Sequence, residues 1–279
     1  LFLKSIEGVP THYQKLAMIA PSAASEEKYA WLASVPGMRE FVGERQAYGL
    51  REYSFSIVNK TWESTIEVDR AALEDEQYGQ IRLRIQSLAE AAAYHKDQMV
   101  IQLARDGFTA NCYDGQAFFS GSHPVGEGTA SNTGSEPLSA SALQAAITSI
   151  ARRTDDQGRP LGVTADTLLV PPELEWTALE LLGSPVAPEA DNNTGNVLRG
   201  RLDLIVSPHL TDADNWFVFC TRRALKPFIL QERTPLEFEA LDAGSGSEQA
   251  FIRDRFLYGV RSRYNAGYGL WQLAWGSNV

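Results

Sequence analysis

The side chains best suited to chemistry are four histidines, His12, His95, His123 and His209, and two cysteines, Cys112 and Cys220. No histidine lies in an HExxH or HxH pattern and neither cysteine in CxxC, so no metal site is expected. His123, followed by Pro124 and close in sequence to Asp114, suggests a hydrolytic Ser/His/Asp set. Such a set can be drawn from almost any chain of this length, and the GxSxG nucleophile elbow is missing. Neither GxGxxG after a strand nor GxxxxGK[ST] occurs, so no nucleotide loop and no cofactor are expected. The acidic run Glu74-Asp75-Glu76 favours a helix start. Asp155-Asp156 belongs to a turn.

Composition narrows the classes further. The chain has 279 residues, 44% hydrophobic, enough for one large or two linked domains. It begins at Leu1 without a methionine, so the absence of a signal-peptide pattern concerns only the residues shown. No apolar run reaches the ~20 residues needed to cross a bilayer, so no membrane partner is expected. The two cysteines are far apart and in no motif, and read as buried free thiols rather than a disulfide. Net charge is −10, and no Lys/Arg cluster is longer than a pair such as Arg222-Arg223. Gripping a polyphosphate needs a basic patch, so sequence-specific DNA binding is not expected.

The elements that could position these groups follow from periodicity. Between Asp75 and Gly107, apolar or half-apolar residues recur at Ile81, Ile85, Leu88, Ala92, His95, Met99 and Leu103. That spacing predicts a helix of roughly 40 Å at about 1.5 Å per residue, with His95 as a packing residue on its apolar side. Residues 50–70 alternate: Tyr53, Phe55 and Ile57, then Trp62, Ile66 and Val68, around Asn59-Lys60. This predicts a hairpin of two antiparallel strands, which alone would be marginal and needs a partner. Before it, residues 1–48 carry three apolar patches (1–6, 13–19 and 29–38) without a core, and read as an extended arm. Lys28–Leu32 is expected to be a short helix, with a turn at 36–40.

After the long helix, 125–136 is a Gly/Ser/Thr/Asn loop, flexible by composition. Ser139 to Arg153 is a helix capped by Ser139. Strands at 167–170, 202–206 and 215–220, a helix at 173–182 and a polar loop at 188–195 make residues 160–225 an α/β unit. Beyond Pro227, strands are expected at 228–231, 236–241, 255–264 and 268–275, with a loop at 242–247. The tryptophans are core or interface residues. Pieces that cannot stabilise themselves are expected of a subunit that folds fully only among its own copies.

Short stretches in fixed order then carry a resemblance. They include Tyr29-Ala30-Trp31-Leu32, Pro36–Glu40, Val42–Arg45, Ile57–Glu63, Ile66–Arg70 and Leu73–Glu76. Tyr113–Phe119, Ser122-His123-Pro124, Leu169–Pro172 and Ile229–Arg233 continue the series. In these the chain resembles the major head (capsid) subunits of Mu-type bacteriophages and prophages over nearly its whole length. The resemblance implies an α+β fold, the tailed-phage capsid fold of Hong Kong ninety-seven type. Its parts would be an N-terminal arm (1–48), an extended hairpin loop (49–76) and a peripheral domain with its spine helix (77–157, spine 77–107). An axial domain (158–225) and a return to the peripheral domain (226–279) complete it.

The resemblance also implies a structural protein without catalysis. Pentamers and hexamers would build an icosahedral head enclosing double-stranded DNA, assembled in the bacterial host cytoplasm. Subunit contacts are expected at Tyr53, Phe55, Ile57, Lys60, Trp62 and Ile66, laid over the spine and peripheral domain of a neighbour. Other partners would be packaged DNA by non-specific proximity, and scaffold, portal and decoration proteins. Some relatives cross-link subunits through a lysine and an asparagine; Lys60 and Asn59 are adjacent here as turn residues, and no cross-link is expected. An encapsulin-like compartment and a soluble α+β enzyme stay open as alternatives.

Overall fold

The computed structural model describes residues 9–32, 52–69, 71, 78–155, 158–187, 195–241 and 254–279. The patch 1–6, the turn 36–40, the acidic run 74–76 and the loop 242–247 lie outside these residues, as does most of the loop 188–195.

A single helical turn, α1 (Tyr13–Leu16), runs straight into β1 (Ala17–Pro21). Next come β2 (Glu26–Leu32), β3 (Glu52–Val58) and β4 (Lys60–Asp69), then the long helix α2 (Tyr78–Asp106). Short strands β5 (His123–Val125), β6 (Gly128–Ala130) and β7 (Thr133–Gly134) precede α3 (Ala140–Ala151). The chain continues through β8 (Thr167–Val170), α4 (Glu175–Gly183), β9 (Asp203–Val206) and β10 (Trp216–Phe219). It ends in two long strands, β11 (Phe228–Leu241) and β12 (Arg255–Tyr268), and the short β13 (Ala274–Ser277).

One sheet has the order β1-β11-β12-β4, with β1 parallel to β11 and the other pairs antiparallel. The expected break between 231 and 236 is a pairing irregularity within one strand, between Glu232 and Glu237. Pro235 lies in that irregular stretch, beyond the point where β1 stops at Pro21 opposite Glu232. A proline has no N–H to donate, so this is where the ladder tolerates it.

The helix α2 packs on this sheet, its 29 residues spanning about 43 Å. Its buried line is Ala89, Ala93, Asp97, Val100, Ile101 and Ala104, with Leu88 beside it. Ala92, His95, Met99 and Leu103 flank that line and are half-buried. The expected stripe is therefore displaced by about one position. Alanines take the line of closest approach because small side chains let the helix backbone come near the sheet. The helix stops before Gly107, which has no left-handed backbone. Glycine is required there by packing, since a Cβ would lie 2.8 Å from the Phe119 ring.

The second sheet has the order β7-β13-β10-β8-β9. In β8 and β10 every residue is buried, without polar alternation. The reason is that both faces are covered. Leu169, Phe217 and Phe219 face the core shared with α2 and the first sheet, while Leu168, Val170, Trp216 and Val218 face α3 and α4. The α/β unit at 160–225 is thus observed, but its sheet and core also take in β7, α3 and β13 from outside 158–225.

Four local expectations are corrected. Residues 50–70 do not form a hairpin: β3 pairs antiparallel with β2 and β4 with β12. A two-residue hairpin turn needs positive φ, and among described non-glycine residues only Asp254 has it. Lys28–Leu32 is strand, not helix, with Tyr29 opposite Phe55 and Trp31 opposite Tyr53; pairing with β3 overrides local preference. The segment 125–136 is tied down by β5, β6 and β7, and its Asn132 is fully buried. The terminal candidate 268–275 is divided by a 3-10 turn at Trp271–Leu273, after which β13 joins the second sheet.

Asp97 joins the arm to the helix. Its Oδ1 accepts the backbone N–H of His12 (2.6 Å) and of Tyr13 (2.7 Å), capping α1 from another element. Asp97→Ala leaves both amides without this acceptor. It is expected to lower the unfolding free energy of the unassembled subunit by about 2–3 kcal/mol. An unchanged denaturant midpoint would show that the carboxylate contributes nothing.

Candidate assembly site and buried polar clusters

The expected contact residues fall on two strands separated only by Asn59. At that break Asn59 N–H donates to Ser25 O (2.9 Å), and its Nδ2 donates to Ser22 Oγ and Ala24 O (both 2.8 Å). The same turn is capped by Glu27, whose Oε1 accepts from Ala23 N, Ala24 N and Ser22 Oγ. Hydrogen bonds from the Ala24 and Ala23 amides hold the Glu27 carboxyl below its usual range. The chain therefore crosses from the β2–β3 ribbon to the first sheet by being pinned to the 22–25 turn.

Of the six residues, Ile57 is buried against Ile229, with Phe55 packed beside it. A Cβ on Gly267 would lie 2.7 Å from Ile57 Cδ1, so glycine at that position lets the ribbon sit on β12. Fully buried Gln231 donates to Ile57 O (3.1 Å) and accepts from Tyr29 Oη (3.0 Å). Burial, then the charge of Glu27, pushes the Tyr29 phenol up to about 12. Trp62 Nε1 donates to Tyr264 O (2.9 Å), and its ring lies 4.4 Å from that of His95. Ile66 packs with Leu88, Ala89 and Val260. Lys60 is exposed. Tyr53 lies opposite Trp31 in the β2–β3 register, and its side chain is outside the described residues. Ile57, Trp62 and Ile66 are thus engaged inside the subunit, which alternation alone did not reveal. The exposed features beside them are Val58, Lys60, Glu63 and the edge of β4, which among the described residues pairs only with β12.

The pair singled out for catalysis does come together. His123 Nδ1 lies 2.6 Å from Asp114 Oδ2, and Cys112 Sγ lies 3.0 Å from Asp114 Oδ1. Asn132 Nδ2 donates to Phe118 O and its Oδ1 accepts from Ser120 N, so His123 Nε2, 3.1 Å from Oδ1, is a donor. A proton must then lie between Nδ1 and the carboxylate. Burial raises the Asp114 carboxyl, but hydrogen bonds from His123, Cys112 and Gln116 outweigh it and hold the group low. The His123 ring has no exposure and stacks on Trp271, centroids 4.0 Å apart. Burial, then the Asp114 hydrogen bond, pushes the Cys112 thiol up, so no thiolate forms.

Cys112, Asp114 and His123 are also the one group among the described residues with three metal-type ligand atoms close together. Ligands around one zinc stand ~3.5 Å apart, from bond lengths near 2.0–2.3 Å. The observed separations are shorter, and match a hydrogen-bonded structural cluster. Arg153, which no motif flagged, completes it. Its Nη1 donates to Trp271 O and Ala274 O (both 2.9 Å), and its guanidinium lies over the Trp271 ring. Burial lowers its pKa to about 9, which leaves it charged at neutral pH.

Two measurements check these readings. His95 Nδ1 meets Tyr264 Oη (2.7 Å), and burial holds His95 below its usual pKa. Since the folded value is depressed, its contribution is present above about pH 6.5 and lost as pH falls below that. The subunit melting temperature should fall from pH 7 to pH 5, and fall less in His95→Gln; equal slopes would remove His95 from the pH dependence. Both cysteines are buried and free, with thiols pushed up by burial. A thiol reagent at pH 8 should label neither in the folded subunit and both after denaturation. Rapid labelling of folded protein would contradict the buried placement.

A family model described as "Mu-like prophage major head subunit gpT" matches residues 1–136, 133–210 and 211–279. The Mu-like prophage FluMu major head subunit of Haemophilus influenzae is 30% identical over 274 residues, 98% of this chain and 68% of that protein. The major capsid protein of Escherichia phage Mu is 28% identical over 273 residues, again 98% and 68%. Among solved structures, a chain of the procapsid of bacteriophage JBD30 superposes with a TM-score of 0.60 at 28% identity. That match covers 100% of this chain and 72% of that one.

Proposed function

This chain belongs to the Mu-like prophage major head subunit family, and from that premise we propose how its copies meet. It is a major capsid protein, a structural component of the phage head rather than an enzyme, and its copies assemble into an icosahedral shell.

In the proposed arrangement the subunits form pentamers and hexamers. Residues 1–48 act as an arm and 49–76 as the extended loop. The long helix, with the first sheet, acts as the spine of the peripheral domain, to which 226–279 returns. The lobe around 158–225, joined by β7, α3 and β13, acts as the axial domain. The region of Tyr53, Phe55, Ile57, Lys60, Trp62 and Ile66 lies over the spine and peripheral sheet of a neighbouring copy. Ile57, Trp62 and Ile66 stiffen it from within, while Val58, Lys60, Glu63 and the open edge of β4 make the contact. Main-chain pairing along an open edge and a few buried side chains, at ~25 cal/mol per Å2, give several kcal/mol gross per contact. A closed shell repeats that contact many times. The observation that carries this arrangement is the β4 edge beside exposed Val58 and Lys60.

Double-stranded DNA fills the head by confinement, because a chain of net charge −10 does not grip phosphates. Scaffold, portal and decoration proteins are the further partners, and assembly takes place in the cytoplasm of a bacterial host.

The double variant Val58→Asp with Lys60→Glu should fold with a wild-type melting temperature and yield at least about tenfold fewer particles by negative-stain imaging. Normal particle numbers would sink the loop-to-neighbour contact. Purified native particles should contain double-stranded DNA; protein cargo in its place would favour an encapsulin-like compartment.

A further inference from the structure

The two most exposed large apolar side chains among the described residues are both in the axial lobe: Val197 at 78% and Trp176 at 75%. At that exposure they contribute little burial energy to the isolated subunit. They sit on neighbouring elements, Trp176 on α4 and Val197 in a turn beside it. Trp176 and Leu179 stand one turn apart on the outer side of α4, whose inner side is Ala178, Leu181 and Leu182. Val197 lies in the turn that docks on the C-terminal end of that helix. Asn196 Nδ2 donates to Leu181 O (2.7 Å) and Ser184 O (3.0 Å), and Gly200 N donates to Leu182 O (2.9 Å). The turn is therefore fixed rather than free to fold over Trp176.

The exposed charges on the two elements are opposite. Exposed Glu173 and Glu180 accompany Trp176, and exposed Arg199 and Arg201 accompany Val197. None of these four makes an ion pair among the described residues. One lobe thus carries an acidic apolar knob and a basic apolar one that do not satisfy each other. Head-to-tail contact between different surfaces of one chain is the geometry that closes a ring. Complementary potentials also fix register in such contacts.

We propose that the Trp176 face of α4 in one copy seats against the Val197–Arg201 turn of the next copy, forming a head-to-tail contact within the pentamer or hexamer ring. The occupant is a second copy, because each face presents the charge that the other lacks. This inference rests on the axial-lobe reading above and adds to it the contacting faces and their polarity.

The test uses the full chain in three charge variants: Glu173→Arg with Glu180→Arg, Arg199→Glu with Arg201→Glu, and all four together. All four side chains are exposed, so each variant should keep the wild-type melting temperature. Each half-reversal should cut the yield of sedimenting particles at least tenfold, and the fourfold variant should recover most of it. Trp176→Ser should fold normally and assemble poorly. Half-reversals that assemble like wild type would overturn the proposal. So would loss in both half-reversals without recovery in the fourfold variant, provided all melt like wild type. Failure of the wild-type chain to form particles under the same conditions would count against the shell reading instead.

Discussion

An aromatic contact between the two sheets is the constraint on which the rest of the subunit depends. Phe118 has no exposure and stacks on Tyr268 of the first sheet at 4.7 Å, with Phe228 at 5.4 Å. Its neighbour Phe119 meets Phe217 of the second sheet at 5.3 Å, and Phe219 meets Phe228 at 5.5 Å. Rings of this size bury large apolar areas and prefer offset or edge contacts, so they fix the relation of the surfaces they join. Two glycines make room for Phe119: a Cβ would lie 2.8 Å from its ring at Gly107 and 3.0 Å at Gly276. One phenylalanine thus governs where the long helix ends and how closely the last strand approaches.

Buried polar groups then set the register of what the aromatic core leaves loose. Asp97 anchors the arm to the helix, Gln231 anchors the β2–β3 ribbon to the first sheet, and Asn132 anchors the β5–β7 segment. Arg153 and the Asp114–His123 pair meet at Trp271, where the chain leaves the first sheet for the second. Asp97, Gln231, Asn132 and Arg153 each satisfy backbone groups from another part of the sequence. Polar networks of this kind specify one arrangement because misplacing them leaves a buried donor or acceptor unmet.

The inside and the outside of the subunit use their aromatic residues differently. Trp62 and Ile57 hold the extended region against its own sheet, whereas Trp176 and Val197 project into solvent. A shell subunit has to be soluble before assembly and adhesive during it. Sparse apolar knobs beside charges that are unpaired among the described residues meet both needs: they are too small to aggregate freely and acquire full value only against a matching surface.

The sequence by itself determined the long helix, nearly all strand positions of the α/β lobe, the Ser139 cap, the free thiols and the family. Those depend on local periodicity, local capping chemistry and ordered short motifs. It left the partners of the strands undecided. The alternation of residues 52–69 says that two strands exist, and only the tertiary structure paired one with β2 and the other with β12. Tyr29–Leu32 is strand because Phe55 and Tyr53 lie opposite it. The small-residue line of the helix was hidden because burial there is decided by closeness of approach, which alanines permit and hydrophobicity does not rank. His123 and Asp114 were close enough in sequence to suspect. That their contact is a sealed, ring-stacked hydrogen bond rather than an active site was decided by Trp271 and Asn132, residues that no spacing rule connects to them.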